Sequence, residues 1–89
     1  MKERYLEVTF RKGRPFAAYL YLPRRKDDRS ASVEPHAEGL LIDRAEDGRV
    51  IGIEISDPSA TTLEEINRLL ADLALEPMTA VELAPLGMG

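Results

Sequence analysis

Residues 39–55 constrain the fold more tightly than any other part of this chain. Leu40, Leu41 and Ile42 lead into a polar, acidic connection that closes with Asp47 and Gly48. Val50, Ile51, Ile53 and Ile55 lead out of it. Two short apolar runs joined through Asp-Gly are a strong local signal for a β-hairpin. In the second arm Ile51, Ile53 and Ile55 fall on one face, and Val50, Gly52 and Glu54 on the other. A one-residue slip would turn all three isoleucines to water, so the register is expected to be firmly set.

The remaining elements assemble around this hairpin. Residues 5–10 alternate strictly, Leu6, Val8 and Phe10 against Tyr5, Glu7 and Thr9, which predicts a half-buried strand. Arg11, Lys12, Gly13, Arg14 and Pro15 form a turn. Residues 16–22 predict a second strand in which neither face is fully polar: Phe16, Ala18, Leu20 and Leu22 oppose Ala17, Tyr19 and Tyr21. Residues 23–32 are charged and aperiodic, an exposed loop. Residues 33–38 predict an edge strand, because Pro35 has no N–H for a central ladder. After the break at Asp57 and Pro58, Thr62 and Glu65 stand at capping-box spacing, and Leu63, Ile66, Leu70 and Leu73 recur at helical period. This predicts an amphipathic helix over residues 62–75, ending before Pro77. The tail, residues 78–89, is mildly apolar; it adds a strand, packs across the helix, or reaches a partner, and sequence does not choose. The expected architecture is one α+β domain over residues 1–89. Its antiparallel sheet has four to five strands, mostly a meander over residues 5–55, with the C-terminal helix on one face.

Length and composition set the limits on function. A chain of 89 residues buries a single modest core and has little room for a deep cleft. The absence of cysteine excludes disulfides, thiolate metal sites and a cysteine nucleophile. No run approaches the ~18 apolar residues of a membrane span and residues 1–5 lack the apolar core of a signal peptide, so a cytoplasmic protein is expected. The net charge of −4 is unevenly spread. Residues 1–29 hold nine Lys and Arg against four acids, and residues 30–89 hold three against twelve. Such asymmetry marks either an acidic or nucleic-acid partner, or complementary faces that meet within the fold or between subunits.

A family resemblance rests on Tyr19 to Leu22, on Ser32, Val33 and Glu34, and on the hairpin with its closing Gly52, Ile53, Glu54 and Ile55. Over about residues 5–58 these segments resemble domain-of-unknown-function family 2283, a group of small bacterial proteins. The resemblance implies a small, mostly β domain without established catalysis, so it carries over no functional residue. This chain departs from the family's pattern at its first turn, which is basic where members usually carry an acidic loop.

The candidate chemistry is sparse. Glu34, His36 and Glu38, at alternate positions of an extended segment, would point the same way and could ligate a divalent metal; an incidental histidine on a solvated loop explains them as well. Asp43, Glu46, Asp47, Glu54 and Asp57 surround the hairpin, where acids ordinarily cap backbone amides. Glu54 is the exception, being inside a strand, where an Arg on the neighbouring strand could pair with it. No nucleophile stands with a base, so no catalytic residue and no cofactor is assigned, and an enzyme ranks last. Arg24, Arg25, Lys26 and Arg29, near Tyr19 and Tyr21, are the nucleic-acid candidate, with Asp27 and Asp28 set against it. Ala17, Tyr19 and Tyr21 suggest another role. One helix covers one sheet face, so the tyrosine face is left for the tail or for a second subunit. The expected function is a non-enzymatic protein-binding or oligomerisation module, with a homodimer buried on Ala17, Tyr19 and Tyr21. Nucleic-acid binding through residues 24–29 is the alternative.

Overall fold

A computed structural model describes residues 4–37 and 39–86 of the chain. Five strands form one antiparallel sheet: β1 (Tyr5–Arg11), β2 (Arg14–Tyr21), β3 (Ser32–Ala37), β4 (Leu40–Arg44) and β5 (Val50–Ile55). One α-helix, α1 (Leu63–Asp72), follows, with short 3-10 turns at Pro58–Ala60 and Ala84–Leu86.

The strands lie in the order β1-β2-β5-β4-β3, which corrects the meander expectation. β3, β4 and β5 are consecutive neighbours, but β2 pairs with β5 rather than with β3. Burial explains the choice. Ile51, Gly52, Ile53 and Ile55 are all buried, so β5 needs a partner on both sides and takes the centre of the sheet. β3 is exposed along its whole length and carries Pro35, so it belongs at an edge. Residues 22–31 therefore run across the end of the sheet from β2 to the far edge.

Local chemistry sets both hairpin turns. Between β1 and β2 the pair Arg11–Arg14 closes a two-residue loop in which Lys12 has φ +53° and Gly13 φ +77°. Two positive φ values are what a type I′ turn requires. Between β4 and β5 the Gly48 amide donates to the Ala45 carbonyl at 2.9 Å, and the Ala45 amide to Arg49 at 2.9 Å. The loop is thus three residues, with Gly48 at φ +92° in the left-handed position that follows a type I turn.

The core lies on one face of the sheet. Ala18, Leu20, Leu40, Ile42, Ile53 and Ile55 meet Ile66, Leu69 and Leu70 of α1 and Met78, Leu83 and Leu86 of the tail. The tail therefore packs across the helix side, one of the three courses open to it. Asn67 fastens it there: its Nδ2 donates to the Met78 carbonyl at 3.0 Å, and its Oδ1 accepts from the Met78 amide at 2.7 Å. Arg4 adds hydrogen bonds to the carbonyls of Glu76 and Pro77.

The helix begins as expected and ends sooner. Thr62 is the N-cap, and both halves of the capping box with Glu65 are formed. The last helical residue is Asp72 rather than Leu75, because Ala74 adopts φ +58°. The Leu75 amide then reaches the Leu70 carbonyl at 2.8 Å and the Ala74 amide reaches Ala71 at 3.0 Å. This is a Schellman closure built on alanine.

Candidate functional site

The sheet face opposite the helix carries a polar network that begins with a missing side chain. Gly52, in the middle of the isoleucine-rich β5, is paired with Tyr21 on one side and with Asp43 on the other. A Cβ there would sit 1.9 Å from the Tyr19 hydroxyl oxygen and 2.2 Å from its Cζ. The Tyr19 ring therefore lies directly on the backbone of Gly52, a close approach only glycine permits. It reaches diagonally across β5 to β4, where its hydroxyl donates to Asp43 Oδ2 at 2.6 Å.

Asp43 is 8% exposed, and a carboxylate so buried needs hydrogen-bond donors. Tyr19 supplies one. Ser30, on the loop that crosses the sheet end, supplies another to Oδ1 at 2.5 Å. Arg24, from the same loop, donates to the Tyr19 hydroxyl at 3.3 Å and to the Ile51 carbonyl at 2.6 Å. Burial, then the hydrogen bond to the Asp43 carboxylate, pushes the Tyr19 phenol up to about 12. At neutral pH this hydroxyl is a fixed donor, and the network ties β2, β4, β5 and the crossing loop together.

The network also positions an aromatic row. Tyr21 stacks on Tyr5 with ring centroids 4.6 Å apart and planes 13° from parallel. Tyr19 lies 4.6 Å from Tyr21 on the other side, tilted by 57°. The Arg24 guanidinium sits 5.1 Å over the Tyr21 ring. Desolvation, then the nearby Glu7 carboxylate, also raises the Tyr21 phenol.

Ala17, Tyr19 and Tyr21 do share this face, as their alternation requires. Of the four cations of residues 24–29, Arg25, Lys26 and Arg29 are exposed and line one depression, and Arg24 lies apart from them. Arg24 turns in to Tyr19, while the Arg25 amide donates to the Asp28 carboxylate at 2.8 Å. Asp28 in turn takes two hydrogen bonds from Arg49, at 2.5 and 3.0 Å, which hold its carboxyl below the usual range. Lys26 and Arg29 are exposed, beside a shallow depression that also contains Asp27, Glu46 and Asp47.

Glu34 and His36 face separate partners. Glu34 accepts from Arg44 Nε at 2.6 Å, and His36 Nε2 lies 3.1 Å from Asp72 Oδ2 at the end of α1. The register of β3 against β4 shifts between Pro35 and Ala37, which breaks the simple alternation on which a shared direction depends. Glu38 lies outside the described residues. Among those described, no three His, Cys, Asp or Glu side chains are grouped to hold a metal ion. Of the hairpin acids, Asp47 caps and pairs with Arg49, and Asp57 accepts from Ser59. Glu54 forms no ion pair among the described residues; its cross-strand neighbours are Tyr19 and Leu41. No helix of the described residues is long and apolar enough to cross a membrane.

The part of this face that the sequence reading missed is the Tyr19–Asp43–Ser30 network. Its one visible signal was a glycine inside an otherwise bulky strand.

The geometry defines an α+β domain whose single sheet is covered on one face and organised by a tyrosine–aspartate network on the other. Residues 17–59 of this chain match the model of the family described as Protein of unknown function (DUF2283), and over that span the chain resembles the family. The matched span begins within β2, so β1 lies outside it. It contains Tyr19, Tyr21, Arg24, Ser30, Asp43 and Gly52. No curated protein and no solved structure matches the chain.

Proposed function

We propose that the chain is a non-enzymatic association module that pairs with a second copy of itself through the open sheet face. The observation that carries this reading is the one-sided cover of the sheet. Helix and tail occupy the same face, so the tail is not available to shield the tyrosines. The open face keeps Tyr5 48% exposed and Val33 52% exposed, with Tyr21 and Leu41 half-buried between them.

Three features favour a second copy as the occupant. Tyrosine at a patch centre is enriched in interfaces, and two-fold dimers are the commonest assembly. The stacked Tyr5 and Tyr21 rings set two aromatic side chains side by side on this face. The network beneath holds the rings in place before association, which lowers the ordering cost of binding.

Sedimentation velocity of the protein and of Tyr21→Glu tests this reading. The protein should sediment as two chains and the variant, folded by circular dichroism, as one. A folded protein that sediments as a single chain at every concentration would contradict it.

A further inference from the structure

The tip of the β1–β2 hairpin presents a second surface, distinct from the tyrosine face. A concavity there is lined by Arg11, Lys12, Arg14, Pro15 and Phe16. Arg11 and Arg14 are direct cross-strand partners, and the Arg11 guanidinium lies 5.0 Å over the Phe16 ring. Phe10 and Phe16 are 55% and 52% exposed. Among the described residues, none of these three cations forms an ion pair. Along the hairpin itself the nearest carboxylate, Glu7, is four residues from Arg11, roughly 13 Å along an extended strand and beyond the Debye length at physiological salt.

This arrangement works against the fold. Like charges directly opposite one another destabilise a strand pair, and Lys12 occupies a left-handed conformation that a non-glycine residue adopts at a cost. Exposed phenylalanines add no core. An anionic ligand with flat faces offsets the first and the last: its charge screens the cations, and its rings cover the aromatics.

We propose that this tip binds single-stranded nucleic acid, with Arg11, Lys12 and Arg14 on phosphates and Phe16 stacking on an unpaired base. A single strand fits better than a duplex because stacking needs a free base face. The acidic remainder of the chain repels phosphate, which confines contact to the tip.

Fluorescence anisotropy with labelled oligothymidine and oligouridine, on the full chain, tests this. Binding should appear at low salt and weaken with a log–log slope of about −2, as three phosphate contacts on a single strand imply. Lys12→Glu combined with Arg14→Glu should weaken binding at least tenfold, and Phe16→Ala about fivefold, with both variants folded by circular dichroism. Lys26→Glu, on the mixed-charge loop, should leave affinity within twofold. No oligonucleotide binding at low salt would overturn the proposal. So would binding that survives the double reversal, or loss on Lys26→Glu equal to that at the tip. Binding to phosphatidylserine vesicles without binding to oligonucleotides would overturn it in favour of a membrane surface.

Discussion

Gly52 shows how one residue decides what a sheet face can hold. The position is legible as unusual, since a glycine interrupts the isoleucines of β5. Its reason is not legible, because the ring that needs the space belongs to Tyr19 on a strand joined to β5 only through the strand order. Gly52→Ala should displace that ring and deprive the buried Asp43 of a donor. The expected loss is about 2–3 kcal/mol, read as a lower denaturant midpoint, within the range for an unsatisfied buried polar group. The same contact sets a pH dependence. The Tyr19 phenol titrates near 10 when unfolded and is pushed up to about 12 when folded, by burial and then by Asp43. The folded state thus retains a proton that the unfolded state gives up. The associated stability is fully present below pH 10 and is lost as pH rises through about 12. In an ultraviolet titration the latest of the tyrosine transitions should disappear in Tyr19→Phe.

Elements with local determinants were readable, and those with distant ones were not. The capping box at Thr62 and Glu65 is contained in four consecutive residues, and it forms as read. The helix end was misplaced by three residues because its determinant is Ala74, a residue with no bias toward the left-handed conformation it adopts. Ala74→Gly should remove that strain and stabilise the protein by roughly 0.5–1 kcal/mol in spite of glycine's entropy, whereas Thr62→Ala should cost about 1 kcal/mol. Thermal melts of the two variants moving in opposite directions would establish both helix ends. The strand order depends on β5 needing two partners, a property of the assembled sheet that neighbouring residues do not encode. The pairing of Asp28 with Arg49 is equally non-local, and it joins the crossing loop to the β4–β5 turn. Because Arg49 and the Arg25 amide lower the Asp28 pKa from 3.8, its contribution is present above that value and lost as pH falls below it. Asp28→Asn should therefore narrow the stability difference between neutral and acidic pH, as measured by denaturant unfolding at each.

At the scale of the molecule, charge and cover separate the two surfaces. The helix and tail shield one face of the sheet, and the network from Gly52 to Ser30 makes the other a fixed aromatic surface. The basic first third of the sequence divides in the fold: Arg24 is engaged with Tyr19 and Ile51 where the loop crosses the sheet, while Arg11, Lys12 and Arg14 stand at the hairpin tip. Composition revealed the asymmetry but not this division, since the engagement of Arg24 depends on where Tyr19 and Ile51 lie. The tyrosine face was legible from alternation alone. That the tail leaves it open was not, because the anchor is Asn67 on a distant turn of α1. The most direct test of a second copy seated on that face is isotope-filtered nuclear Overhauser spectroscopy on a mixture of labelled and unlabelled protein. The account predicts intermolecular contacts from the rings of Tyr5 and Tyr21. Intermolecular contacts confined to other surfaces, or none at concentrations where the protein is folded, would contradict it.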